Sequence, residues 1–446
     1  MEEKNSEKKE RKMRDSGIPW IGEVPEGWGV VPLKYLLSNE ANSLKVGPFG
    51  SQLSGSDFTD DGCWVYNQRS VLDKNFDSND TFISESKFNS MNSFKVEEND
   101  ILITTRGTIG KICRIPQNYH KGIIHPCIIK FRINESLLMY SLLEKIFNES
   151  DLVKKQFEIN SNATTINVIY GSTLRNILIP VPPVQIQHRI AAFLDYKCSE
   201  IDTLIENLSA RMESAKEYKK AVITEAVTKG LDKDVKMKDS GVEWIGEIPE
   251  GWKVVRFKHI ASIKSNLVQP DKYMKYPQIA PDNIEKDTGR LLSHQTVEES
   301  GIISGNHLFY RGQILYSKIR PNLNKLTIAP FDGLCSADMY PIEPKLPTLF
   351  MVYSMLSAYF VSQVSLIIQD RVKMPKINQE ELGEIKVVVP SQQEMLTIAD
   401  YLDSKCSEID TLLQNYDEQI TVLEEYKKSL IYEYVTGKKI LTSGHI

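Results

Sequence analysis

Residues Phe193–Gly230 read FLDYKCSEIDTLIENLSARMESAKEYKKAVITEAVTKG, and Tyr401–Lys438 read YLDSKCSEIDTLLQNYDEQITVLEEYKKSLIYEYVTGK. LD, KCSEIDTL and EYKK recur at a constant offset of 208 residues. In the first copy Ile201, Ile205, Leu208, Met212, Ala215, Val222 and Ala226 fall at steps of four and three, with Lys219 filling the one gap. That spacing is the apolar seam of a heptad repeat. The second copy keeps the stripe position for position as Ile409, Leu413, Tyr416, Ile420, Leu423, Leu430 and Tyr434, with Lys427 in the gap. A helix that only covers its own domain would also be amphipathic. However, a helix from about Ile186 to Thr228 is roughly 60 Å long at 1.5 Å per residue, more than one domain of this size is wide. The expectation is an antiparallel coiled coil in which small residues of one copy (Ala215, Ala226) match large ones of the other (Leu423, Tyr434) at native density. Lys219 and Lys427 are expected to snorkel out of the seam, a role in register or partner contact being the alternative.

A second repeat lies upstream of each helix. Asp15–Leu36 reads DSGIPWIGEVPEGWGVVPLKYL and Asp239–Ile260 reads DSGVEWIGEIPEGWKVVRFKHI, with 14 of 22 positions identical at an offset of 224. The chain therefore divides into a disordered tail (1–14), a first body (15–184), a first helical region (185–232), a second body (233–391) and a second helical region (392–446). Each helix carries a body at its start, which puts the bodies at opposite ends of an internally repeated, pseudo-twofold molecule. The offset falls from 224 to 208, so the length difference sits in the middle of the bodies, where the sequences also diverge. Similar ends around dissimilar middles suggest a shared frame with different surfaces.

Each body reads as an α+β domain. Strands are expected at Trp64–Tyr66, Ile101–Thr105, Lys111–Ile115, Ile123–Phe131 and Ile177–Pro183. Gly47–Gly50, Asp61-Gly62 and Arg106-Gly107 have turn chemistry. Helix is expected over Leu137–Phe147 and Asp151–Glu158. In the second body Gln313–Tyr316 answers Ile101–Thr104, Leu349–Ile368 supplies helix, and Ile385–Pro390 answers the final strand.

Composition narrows the function classes. Hydrophobic residues make up 41% and charged residues 25% of 446, ordinary for a globular protein. No run of about 18 apolar residues suggests a membrane span, and MEEKNSEKKERKMR lacks the apolar core of a signal peptide. The six cysteines form no CxxC pair and read as free thiols of a cytoplasmic protein, Cys198 and Cys406 packing beside the helix stripe. His120, His125 and Cys127 sit in an apolar, strand-like run without a fourth ligand, so no metal is expected. The net charge of −5 is unlike a protein that binds DNA alone, and calls for local basic patches or partners that share the phosphate contacts. There is no GxxxxGK[ST] loop, no GxGxxG and no Asn-Pro-Pro-aromatic run. Positive signs of catalysis are absent.

The paired WIGEVPEGW (Trp20–Trp28) and WIGEIPEGW (Trp244–Trp252) carry a resemblance, together with GPFGSQL (Gly47–Leu53), ILYSKIRPNLNK (Ile314–Lys325), IPVPPVQIQHRIAAFLD (Ile179–Asp195) and the EYKK…VTGK helix ends. The chain resembles the DNA-specificity subunit of type I restriction–modification systems over nearly its whole length. Two departures are small: Ser391 stands where the first copy has Pro183, and the helices end VTKG and VTGK. The resemblance implies two target recognition domains, each reading one half of a split double-stranded DNA sequence. It implies that the helices set the spacer and bind two methyltransferase subunits, which motor–nuclease subunits join. It also implies a non-catalytic chain, with S-adenosylmethionine and ATP with magnesium belonging to the partners.

Base reading needs Arg or Lys toward guanine and Asn or Gln toward adenine, carried on loops of a rigid frame. In the first body the candidates are Lys45, Phe49, Ser51 and Gln52 in KVGPFGSQ, then Gln68, Arg69 and Arg106. In the second they are Lys318, Arg320, Asn322, Asn324 and Lys325 in YSKIRPNLNK, with Lys264, Asn266, Gln278 and Arg371 as weaker ones. The bland alternative for each is a solvated surface residue. Competing readings of the whole chain are an enzyme with an unrecognised site and a coiled-coil scaffold that binds only protein. Dissimilar middles on a duplicated frame argue against the scaffold.

Overall fold

A computed structural model describes residues 12–160, 168–371, 373–439 and 441. The tail expected over 1–14 falls mostly outside the described residues. Its last part is ordered, since Met13–Asp15 pairs antiparallel with Glu23–Pro25. The chain forms two compact units, 1–207 with 419–446, and 208–418. The boundaries cut both long helices, Val184–Lys229 and Gln392–Val435. Each unit therefore contains one body, the start of that body's own helix and the end of the other helix.

In the first unit, Leu44–Val46, Ile128–Phe131, Ile101–Thr104 and Ile112–Arg114 form an antiparallel sheet in that order. A second sheet runs Gly122–Ile124, Cys63–Tyr66, Phe82–Ile83 and Phe58–Thr59, its first pair parallel. The run Ile123–Phe131, expected as one strand, is two strands in different sheets. The chain turns at 125–127, where the Ile128 N–H donates to the His125 carbonyl. The second unit repeats the plan. Ala261–Ile263, Met339–Pro344, Ile314–Ser317 and Leu326–Ile328 form its antiparallel sheet. Gly333–Cys335 and Pro277–Ile279 supply its parallel pair. The middles that differ in sequence thus share the strand order of the antiparallel sheet and the parallel pair of the other sheet, whose edges differ: the second unit adds Asn306–Phe309 and Leu267–Val268 beside Gly333–Cys335. Buried strands need only apolar residues at the right period, and many sequences meet that demand. The helix expected over Leu349–Ile368 is two, Thr348–Leu356 and Ala358–Ile368, bent by 59°.

Each unit closes its last strand with a buried glutamine. Gln156 donates to the Leu178 carbonyl at 3.0 Å and accepts from the Leu178 N–H at 2.8 Å. Gln363 does the same for Lys386, at 3.0 Å in both bonds. The side-chain amide thereby stands in for a neighbouring strand.

The WIGE…W motif holds the end of a helix. Ile18, Ile21, Val24 and Trp28 share a core with Leu430, Ile431, Tyr434 and Val435. Val242, Ile245, Ile248 and Trp252 share another with Val222, Ile223, Ala226 and Val227. Gly230 and Gly437 have φ of +79° and +73°, the left-handed turn that ends a helix without a Cβ penalty. Their bare faces lie against Trp252 and Trp28 respectively.

Within each unit the helix start and helix end pair antiparallel. In the first, Phe193 and Tyr434 rings lie 4.6 Å apart, and Ile201, Leu430 and Tyr434 are buried with Ile205 and Leu423 half-buried against them. In the second, Val222, Ala226 and Ile409 are buried, and Leu208, Met212, Ala215, Leu413 and Tyr416 are half-buried, as is Ile420 in the first. Two expectations need correction. Ala226 packs in the second core while Tyr434 meets Phe193 in the first, because antiparallel pairing sets opposite each other residues that are not equivalent in the repeat. Lys219 and Lys427 do not snorkel: each is fixed by an aspartate of the other helix, Asp410 and Asp202. A lysine held in the seam and bonded across it contributes to register.

Candidate nucleic-acid interface

In the first body, the strand Leu44–Val46 runs into the loop Gly47–Gln52, and Ile101–Thr104 runs into the loop that begins Thr105-Arg106-Gly107. The two strands flank Ile128–Phe131, so their loops emerge from one sheet end. Together they line a groove of about 640 Å³ that includes Lys45, Phe49, Gln52, Phe94 and Arg106. Among the described residues no aspartate or glutamate lines it. Lys45 Nζ stands 4.6 Å over the Phe94 ring, a cation–π contact that orients the ammonium. Gln52 Oε1 accepts the Phe49 N–H at 3.0 Å; that bond shapes the loop and engages the oxygen of the amide, so that its NH2 is the end left to donate. Phe49 is 58% exposed, and Ser51 is exposed beside it. Arg106 makes no hydrogen bond or ion pair among the described residues. Burial first, then the Arg106 charge, push His125 below the ordinary histidine value. Neutral His125 can therefore accept the Cys127 N–H at Nδ1, at 3.1 Å.

The structure separates two other candidates from this groove. Gln68 lies against Gly107, behind the Arg106 loop. Arg69 points elsewhere, toward Asp73 and Asp80 at 3.9 and 3.2 Å.

In the second body the loop after Ile314–Ser317 occupies the place of the Arg106 loop. Arg320 and Asn324 both adopt left-handed backbone, φ +42° and +43°, around Pro321. Asn tolerates that region and Arg does so at a cost of roughly 1–2 kcal/mol. The neighbouring segment holds the strained residue: the Arg320 N–H donates to the Pro375 carbonyl at 2.8 Å, and the Ile377 N–H to the Lys318 carbonyl at 3.0 Å. Arg320 and Asn322 project as exposed side chains. Lys318 Nζ sits 5.4 Å from the Tyr340 ring. Asn324 is 1% exposed and donates to the Met355 carbonyl, so it holds the turn. Lys325 donates to the Pro281 carbonyl at 2.8 Å. Arg371 donates to the Lys376 carbonyl and pairs with Glu381 at 2.5 Å. Gln278 is buried in a strand. Lys264 is half-buried, and exposed Asn266 reaches the Leu308 carbonyl at 3.5 Å.

A family model described as "Type I restriction modification DNA specificity domain" matches residues 50–214. The EcoDI specificity subunit of Escherichia coli is 30% identical over 392 residues, 82% of this chain and 85% of that protein. The chain belongs to the type I restriction enzyme specificity subunits. A second specificity subunit, MjaVIII of Methanocaldococcus jannaschii, is 26% identical over 77% of this chain and 80% of its own length. A solved structure described as the basis of complex assembly and conformational transition of the type I R-M system shares the fold. It has a TM-score of 0.68 at 15% identity, covering 93% of this chain and 99% of that one. As a specificity subunit the chain recognises DNA sequence and is not itself the enzyme. Among the described residues no single helix is long and apolar enough to cross a membrane.

Sequence reasoning missed one part of this specificity subunit's first groove. Val168–Ser172 and Arg175 also line it. The run INVIYGSTLR has no basic cluster or proline turn to single it out. Its one signal is Gly171, where a Cβ would come within 2.8 Å of Val46; the missing side chain lets this segment pack directly on the strand that carries Lys45.

Proposed function

We propose that each body reads one half of a bipartite DNA target and that the helix pair sets the spacer. Two methyltransferase subunits bind the helices and motor–nuclease subunits join them in the cytoplasm. S-adenosylmethionine and ATP with magnesium belong to those partners, and this chain carries no cofactor. The observation that carries the reading is the duplication. An antiparallel sheet of the same strand order presents a loop with Arg106 in one body and a loop with Arg320 and Asn322 in the other, at equivalent places and with different chemistry. A common frame with unlike tips suits two readers of unlike half-sites. The acid-free groove suits a polyanion despite the chain's overall charge. Lys45, Phe49, Ser51, Gln52 and Arg106 form the first reading surface, and Lys318, Arg320 and Asn322 the second.

The test is to sequence methylated sites in cells that carry the chain with its methyltransferase. A two-part motif is expected. Exchanging 45–52 should alter one half only, and Arg320→Ala the other. Inserting whole heptads into both helices should lengthen the spacer and leave both halves unchanged. A single undivided motif, or half-sites that change with the heptads, would sink the reading.

A further inference from the structure

We infer that Tyr170 and Arg175 determine specificity in the first body. The inference rests on the reading of that body as a half-site reader, and it adds a third segment to the two loops already assigned.

Tyr170 precedes the short helix Gly171–Arg175 in the N-cap position, with extended backbone and no side-chain cap hydrogen bond. Ser, Thr, Asp and Asn serve helices at that position, and Tyr does not. The equivalent residue of the second body, 208 positions on, is Asn378. It does cap: its Oδ1 accepts the Glu381 N–H at 2.8 Å, and Glu381 returns the bond to the Asn378 N–H at 2.9 Å. Tyr170 therefore sits where its twin serves the fold, and it has given that service up. Burial gives no reason for it either, since it is 65% exposed. Its carbonyl accepts the Leu174 N–H at 3.0 Å, but its side chain makes no hydrogen bond or ring contact among the described residues.

The Arg175 side chain is likewise exposed and without a hydrogen bond or ion pair among the described residues. Both residues line the groove that Lys45, Phe49, Gln52 and Arg106 line. The Ile169 N–H donates to the Thr105 carbonyl at 2.9 Å, next to Arg106. That bond anchors the segment to the Arg106 loop, so the exposed side chains stand on a fixed backbone. Arg106 and Arg175 are two guanidinium forks on one acid-free surface, and such forks read guanine bidentately. Tyr170 adds an aromatic face and a hydroxyl that donates and accepts. In the second body the equivalent stretch is turned to internal use: Arg371 is held by Glu381, and Lys376 pairs with Asp338 at 3.1 Å.

The test uses the full chain together with its methyltransferase. Methylated sites are sequenced for the wild type, Tyr170→Asn, Arg175→Ala and Arg175→Lys, with Arg106→Ala as reference. Thermal midpoints of the purified complexes are measured alongside. Tyr170→Asn installs the cap of the second body, so its midpoint is expected at or above wild type. It should nevertheless lose discrimination at one or two base pairs of one half-site, by roughly five- to a hundredfold. Arg175→Ala should do the same, and Arg175→Lys should fail to restore it, because a point charge lacks the fork. The other half-site and the spacer stay as they are. Uniform loss of methylation with the motif intact would mark a phosphate clamp and overturn the inference. So would wild-type discrimination in all three variants while Arg106→Ala changes the half-site. If Arg106→Ala also leaves the half-site unchanged, the reading of the body as a reader falls with it.

Discussion

Lys219 and Asp410 stand on different helices, and the Lys219 ammonium donates to both carboxylate oxygens of Asp410, at 2.6 and 2.7 Å. Lys427 and Asp202 make the same pair at 2.8 and 2.9 Å. The Lys219 side chain is 10% exposed and that of Asp410 54%. The lysine is thus the desolvated partner, and losing the aspartate strands it. Asp410→Ala is expected to cost about 1–2 kcal/mol, less than a fully buried pair because water still reaches the carboxylate. Lys219→Met, which continues the apolar stripe, should be neutral or stabilising, and should cancel the cost of Asp410→Ala in the double variant. Urea unfolding of the three variants decides. Equal losses from the two single changes would mean that the pair itself, rather than the buried cation, governs stability.

The glutamine brackets offer a second test. Gln156→Met keeps the volume but leaves the Leu178 N–H and carbonyl without their partner. A loss of about 1–3 kcal/mol is expected, and Gln363→Met should lose a similar amount at Lys386. A change below about 0.5 kcal/mol at both would show that water replaces the amide at no penalty.

Thiol labelling separates the cysteines. Cys63, Cys113, Cys198, Cys335 and Cys406 are buried, and Cys127 is half-buried. Burial pushes Cys113 up to about 12 and Cys198 and Cys406 up to about 11, so their thiolates are scarce at pH 8. Iodoacetamide on the native chain is expected to label Cys127 first by a wide margin, read by mass spectrometry. Labelling of Cys198 or Cys406 at the rate of Cys127 would show that the helix starts open in solution.

Glu381 gives a pH signature. The hydrogen bond from Arg371 holds its carboxyl below the ordinary value of 4.5. A depressed carboxylate contributes stability that is present above its unfolded value and is lost as pH falls through its folded value. The thermal midpoint of Glu381→Gln should therefore trail wild type by a constant amount from neutral pH to about 4.5. The gap should close at lower pH. A gap that stays constant below the ordinary range would assign the loss to the cap at Asn378 rather than to charge.

Much of the frame was legible because it repeats. The stripe Ile201–Ala226 and its copy stood out at one offset, and the WIGE…W motif marked where each body begins. The shared strand order of the antiparallel sheets was hidden, since strands such as Ile101–Thr104 and Ile314–Ser317 need only be apolar. Asp202 and Asp410 were in plain view inside KCSEIDTL. What linked them to Lys427 and Lys219 was the crossing register, which no repeat offset contains. At the groove, the glycine and basic loops were legible from composition. Tyr170 and Arg175 were not, because their meaning lies in what they fail to do for the helix they flank.

The division of each helix between two units also orders events in time. Leu430, Ile431, Tyr434 and Val435 complete the core around Ile18, Ile21 and Trp28. During synthesis the earliest globule therefore leaves the ribosome unfinished, with its apolar floor open, and waits through more than two hundred further residues for the segment that closes it. A chain stopped at 418 would injure the domain made first, and a chaperone would be needed longest by the part of the protein that emerged soonest.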